Sequence, residues 1–181
     1  MLRIFLALTP EKELNNQIVE IKKDLKSNLL KDAQVTWQRN DHHHVTVYFV
    51  GEMEPEQLQQ MIEGLDEISL IKLSRSIEIT TVSFFPNEKS QVLVALVRPN
   101  KLLQKLHEKV KKTVTTIGLG SDLKDYKPHI TLGRFKEKDR PQYEFEVLEE
   151  TLKGKIKQLD IFNSEFDEGK TKYTLIKSFE L

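Results

Sequence analysis

The chain has no cysteine, which removes disulfides, thiolate nucleophiles and cysteine-ligated zinc sites at once. It also has no net charge, because 28 Lys and Arg balance 28 Asp and Glu. A strong non-specific polyanion binder is usually basic overall, so contact with nucleic acid would have to come from a local patch. No hydrophobic run reaches membrane-spanning length. The apolar opening MLRIFLALTP is too short and reads as a first β-strand rather than a signal peptide, which points to the cytoplasm and to no membrane association. Linkers and low-complexity segments are missing as well. At 181 residues, 38% hydrophobic and 31% charged, the chain is expected to form one domain over 1–181 with a sizeable core.

Periodicity orders the elements. Leu2 to Leu8 is a strand, and Thr9-Pro10-Glu11 opens a helix to about Leu30, with Leu14, Ile18, Ile21, Leu25 and Leu29 at helical spacing. Val35-Thr36-Trp37 is a short strand, and His44 to Val50 a second one that Gly51 ends. A helix follows from Glu54 to about Ile68, then one long or two broken strands over Ile71 to Phe85, and a strand from Gln91 to Val97. The third helix starts at Pro99, with Leu102, Leu103, Leu106, Val110 and Val114 on one stripe and Gly118 beyond its end. Strands are expected over His129–Phe135, Ile156–Phe166 and Tyr173–Phe179, the last two joined by a turn at 167–170. The fold class is α+β.

One pattern occurs twice, 85 positions apart: His44-Val45-Thr46-Val47 and His129-Ile130-Thr131-Leu132. In an extended strand, His and Thr two residues apart share a face at roughly 7 Å, while the apolar residues face the other way. Each copy follows a helix, which suggests two related, pseudo-symmetric lobes. Two such strands lining one cleft would present two imidazoles and two hydroxyls to one small ligand. That set suits a phosphodiester. In-line displacement at phosphorus needs a base near the attacking oxygen and an acid near the leaving oxygen, and imidazole serves both because its pKa is about 6.5. Threonine hydroxyls can donate to the non-bridging oxygens, and no metal or other cofactor is required.

With these motifs in their setting, the chain resembles the 2H phosphoesterase superfamily, and within it the RNA 2′,3′-cyclic phosphodiesterase (2′-5′ RNA ligase-like) family. The resemblance runs from RIFLAL before proline, through Val35-Thr36-Trp37 and HHHVTVYFVGE, to Lys127-Pro128-His129-Ile130-Thr131-Leu132-Gly133-Arg134, then Ser164, Gly169 and Tyr173. It implies a two-lobed α+β fold with antiparallel sheets lining a central cleft and helices outside. It implies hydrolysis of an RNA terminal 2′,3′-cyclic phosphate to a 2′-phosphate; separately, the chain is expected to be a monomer. Carried over by motif, His44 is the proton donor, His129 the proton acceptor, and Thr46 and Thr131 the phosphate-holding residues. Arg134 is a further candidate for substrate binding, although three residues beyond Thr131 a regular strand would place it on the opposite face. The symmetry of the motifs does not by itself assign donor and acceptor.

The residues leave alternatives open. The same histidines run backwards would serve 2′-5′ RNA ligation, a small cyclic nucleotide would fit the same chemistry, and a non-catalytic RNA-binding module would retain the cleft. Asp41, His42 and His43 stand where the family usually has Asn-Leu before the first motif. His42 would share the face of His44 if the strand extends back that far, and His43 would point away. Adjacent strand side chains diverge, so a three-histidine metal site is poorly served, and the pair is expected to cap the strand at the cleft rim. Phe85, Tyr126 and Trp37 are candidates for base stacking or for core. His107 is expected on an exposed helix face without a function.

Overall fold

The computed structural model describes residues 1–29, 33–66, 68, 71–120, 125–136, 147–167 and 170–181. The elements are β1 (Leu2–Pro10), α1 (Lys12–Asp24) with a π-helical turn at Leu25–Leu29, β2 (Val35–Trp37), a 3-10 turn at Asn40–His42, β3 (Val45–Met53), α2 (Pro55–Leu65), β4 (Ser76–Phe85), β5 (Val92–Val97), α3 (Lys101–Thr116), β6 (His129–Phe135), β7 (Val147–Asp167) and β8 (Lys170–Glu180). The α+β expectation holds, with small shifts at the ends. The stretch expected as strand over Ile71–Phe85 is strand only from Ser76. Gly51 does not end the first motif strand. At φ +90° it takes a left-handed backbone, which glycine adopts without a Cβ clash, and β3 continues to Met53. Part of the expected turn at 167–170 lies outside the described residues.

All ladders between the strands are antiparallel, and they close on themselves: β1-β3-β6-β5-β4-β7 and back to β1, with β8 beyond β7 and β2 on β6. The long β7 makes the closure. Its first part, to Lys155, pairs with β4, and from Ile156 it pairs with β1. On the other side β3 and β6 meet at one pair only, Val45 opposite Ile130. The strands thus form two arms joined by β7 and by that single contact between the two motifs.

β1 is paired on both edges and buried from Ile4 to Leu8, which explains why it reads as a continuous apolar run rather than an alternation. Leu14 and Ile18 of α1 and the Leu102-Leu103-Leu106-Val110-Val114 stripe of α3 are fully or nearly fully buried. Each such side chain contributes about 1.5–3 kcal/mol. Asn100 caps α3, its Oδ1 accepting from the Leu103 N–H at 2.9 Å. Helix α1 lies so close to β7 that a Cβ on Gly154 would fall 2.6 Å from Leu14 Cβ. Among the described residues no helix is long and apolar enough to cross a membrane.

Candidate active site

Both motifs sit where the arms meet. With Val45 opposite Ile130 in antiparallel pairing, His44 lies towards Thr131 and Thr46 towards His129, all four on one face. His44, Thr46, His129 and Thr131 are half-buried, while Val45, Val47, Ile130 and Leu132 are buried behind them. The alternation read in each motif is the alternation observed.

The two histidines are held in the same way. His44 Nδ1 donates to the His42 carbonyl at 2.8 Å, and His129 Nδ1 donates to the Lys127 carbonyl at 2.7 Å. A carbonyl only accepts, so each neutral ring carries its proton on Nδ1 and leaves the Nε2 lone pair free of that bond. Burial pushes the His44 pKa down to about 4, helped by the positive charges of His129 and His42, against the bond to the His42 carbonyl. Burial also lowers His129, again against its carbonyl bond. Phe85 stacks on the His129 ring at 3.8 Å between centroids. Phe5 at 5.3 Å and the edge-on Tyr173 at 5.7 Å flank His44.

A bulge follows each threonine. On β3, Thr46 pairs with Ala7 and Tyr48 with Leu6, leaving Val47 as an extra residue. On β6, Thr131 pairs with Val94 and Gly133 with Leu93, leaving Leu132 extra. An extra residue reverses the alternation beyond it. Leu132 and Gly133 are both buried and Arg134 is exposed, so Arg134 shares the face of His129 and Thr131. The opposite-face expectation for Arg134 assumed a regular strand and is corrected here. By the same reversal Phe49, 63% exposed, holds on β3 the place that Arg134 holds on β6.

The triple histidine run divides three ways. His42 ends the 3-10 turn rather than extending the strand, and its ring faces Tyr173 at 5.3 Å. His43 is 4% exposed rather than at the cleft rim. Its Nδ1 donates to Asn15 Oδ1 at 2.7 Å, and its Nε2 accepts from Lys22 Nζ at 3.0 Å. Lys22, also buried, donates besides to the Gln38 carbonyl and to Asn40 Oδ1. Burial and the Lys22 charge bring the His43 pKa down to about 3, and burial with the Lys26 charge brings Lys22 to about 8. Both ring nitrogens of His43 are engaged inside the protein, so the three histidines do not converge on an ion.

The expectation of an exposed His107 does not hold, because the residue is half-buried. Its Nδ1 donates to the Val47 carbonyl at the bulge, at 2.8 Å, and its ring stacks on Tyr126 at 4.4 Å. It therefore ties the first motif strand to the segment that leads into the second, a role visible only once the bulge is known. Tyr126 and Trp37 pack against the core. Of the three aromatic candidates only Phe85 touches a motif histidine.

The comparisons with known proteins agree with this geometry. The family model described as LigT like Phosphoesterase matches residues 8–95. The chain is 24% identical over 135 residues to the RNA 2′,3′-cyclic phosphodiesterase of Methanocaldococcus jannaschii, covering 75% of this chain and 72% of that protein. It is 29% identical over 139 residues to the RNA 2′,3′-cyclic phosphodiesterase of Archaeoglobus fulgidus, covering 76% and 75%. A crystal structure from Thermus thermophilus shares the fold with a TM-score of 0.83 over 99% of this chain and 97% of that one, at 20% identity. By family model and curated relatives the chain is similar to the LigT-like phosphoesterases, and it shares its fold with the Thermus structure.

Proposed function

We propose that the protein hydrolyses the terminal 2′,3′-cyclic phosphate of RNA to a 2′-phosphate by two-histidine acid–base catalysis. The observation that carries this reading is the matched pair of histidines, each with Nδ1 bonded to the carbonyl two residues back. His129 Nε2 takes a proton from water as the water oxygen bonds to phosphorus. The P–O3′ bond breaks, and His44 Nε2 delivers a proton to O3′. Thr46 and Thr131 donate to the non-bridging oxygens, and Arg134, on the same face, supplies a cation for the phosphate. Every proton is accounted for by side chains, so the scheme calls on no metal or other cofactor. The matched bulges after Thr46 and Thr131 support one domain of two related lobes, each lending one histidine and one threonine.

A donor that titrates near 4 when the site is empty is rarely protonated at neutral pH. A bound phosphodiester anion beside it favours imidazolium and raises its pKa in the complex. Substrate binding thus helps to load the acid. Like activity in the two curated relatives, named RNA 2′,3′-cyclic phosphodiesterase, supports the choice of substrate. The test is incubation with adenosine 2′,3′-cyclic phosphate and with an oligoribonucleotide ending in a cyclic phosphate, each with and without chelator, the products being identified by mass and chromatography. A 2′-phosphate product, formed equally with chelator, is expected. No turnover of either substrate, or activity lost on chelation, would overturn the reading.

A further inference from the structure

Both motif histidines donate from Nδ1 to a carbonyl two residues back, but the two carbonyls are supported differently. On the second motif the support is backbone alone. The β5–β6 ladder reaches His129 opposite Leu96, and the Val97 N–H continues it by donating to the Pro128 carbonyl at 3.0 Å. Proline fixes φ at that position, so the Lys127 carbonyl follows from strand geometry. On the first motif the ladder to β1 begins only at Val45. The His42 carbonyl belongs to the 3-10 turn before it, where no ladder bond aims it.

Lys22 of α1 grips that turn at both ends. Its Nζ donates to the Gln38 carbonyl before the turn, to Asn40 Oδ1 on its first residue at 2.8 Å, and to His43 Nε2 just after it at 3.0 Å. An ammonium has three N–H donors, and these contacts use all three. Gln38 is itself anchored to the second motif strand, its N–H donating to the Leu132 carbonyl at 2.9 Å. Its Nε2 also donates to the His42 carbonyl, at 3.4 Å. One cation thus ties the turn, through Gln38, to β6. All three acceptors are neutral, and Lys22 is 3% exposed. Burying an ammonium against neutral acceptors costs stability relative to an apolar side chain of similar length. With its pKa near 8, Lys22 still carries its charge at neutral pH. Stability does not account for a lysine here; the geometry of its three bonds does.

We propose that Lys22 is a positioning residue for the reaction, acting through the His42 carbonyl to keep the His44 ring with its proton on Nδ1 and Nε2 turned to the leaving oxygen. The proposal rests on the hydrolytic reading above and adds a part that touches no substrate. Without the ammonium, Gln38, Asn40 and His43 lose their common partner and the turn can shift. A ring that follows it no longer meets O3′ along a hydrogen-bond line, and proton delivery slows. The second motif keeps its own backbone support, so the base at His129 is spared.

The test uses adenosine 2′,3′-cyclic phosphate and its analogue with sulfur in place of O3′. In the analogue the water oxygen bonds to phosphorus, the P–S bond breaks, and the sulfur leaves as a thiolate. A thiol with a pKa of about 8.5 leaves without a proton, so the analogue bypasses the acid. Values of kcat and KM are measured on both for the wild type, His44→Ala, His129→Ala, Lys22→Met and Asn40→Ala. Lys22→Met is expected to lower kcat on the oxygen substrate by about 10–100-fold, the cost of a misplaced catalytic group, with KM little changed. On the sulfur analogue it should keep nearly the wild-type rate. His44→Ala should show the same split at larger size, and His129→Ala should lose on both substrates. Asn40 is exposed, so Asn40→Ala is expected to keep the fold and to show the split at smaller size. It decides the matter if circular dichroism finds Lys22→Met unfolded. Equal losses on both substrates, or no loss on the oxygen substrate, in the deciding variant overturn the positioning role and leave the hydrolytic reading standing. Turnover of neither substrate by the wild type overturns both.

Discussion

Acidification from pH 7.5 to pH 5 should weaken this protein through His43, and His43→Leu should remove that part of the loss. In the folded chain His43 is buried between Lys22 Nζ and Asn15 Oδ1, and its pKa lies near 3. In the unfolded chain it titrates at about 6.5. Between those values the unfolded state binds the proton and the folded state does not, so stability falls as pH drops below about 6.5, by roughly 1.4 kcal/mol per pH unit, until the folded ring itself protonates near pH 3. At pH 5 the difference amounts to about 2 kcal/mol, a noticeable share of the roughly 5–15 kcal/mol that holds a domain folded. Leucine fills a similar space without titrating. It leaves Asn15 and one Lys22 donor without a partner, but that cost applies equally at both pH values, and the other four histidines are common to both proteins. Urea unfolding of wild type and variant at the two pH values isolates the term as a difference of differences. The wild type should lose about 2 kcal/mol more than His43→Leu on acidification, and equal losses would refute the buried, neutral assignment of His43.

Three further outcomes follow from the site. His44→Ala and His129→Ala should each lower kcat/KM for a cyclic phosphate by about 10²–10⁴-fold, with the double variant little worse than either because the two act as a unit; chromatographic rates with a folding check by circular dichroism decide this. Since burial holds both histidines below the ordinary value in the free protein, kcat/KM should fall about one decade per pH unit above pH 6.5 as the required acid form is lost, and a rate flat from pH 7 to 9 would contradict it. Arg134→Ala should cost about 10–100-fold in kcat/KM, the worth of a charge-assisted contact to phosphate, with Arg134→Lys recovering part of it; an unaffected rate would place the guanidinium away from the substrate.

Strand alternation was enough to put His44 with Thr46 and His129 with Thr131 on common faces, because a period of two is a local property of extended backbone. Helical stripes such as Leu102 to Val114 were readable for the same reason. The position of Arg134 was not. A bulge exists only in relation to a partner strand, and the extra Leu132 appears when β6 is set against β5. The roles within the histidine run were equally hidden, since His43 is fixed by Lys22 and Asn15 from α1, 21 and 28 positions away. His107 reaches a carbonyl 60 positions away.

The sequence by itself determined the chemistry on offer: two imidazoles and two hydroxyls at strand spacing, in a chain without thiols or net charge. Only the tertiary structure decided how they are set against one another. Antiparallel pairing of Val45 with Ile130 brings each histidine towards the other motif's threonine, and the carbonyls of His42 and Lys127 settle both tautomers. The rings of Phe5 and Tyr173 beside His44 and the arginine beside His129 make the two ends unlike. Identical local patterns cannot tell acid from base. That distinction needs neighbours from distant strands, which long-range packing alone brings together.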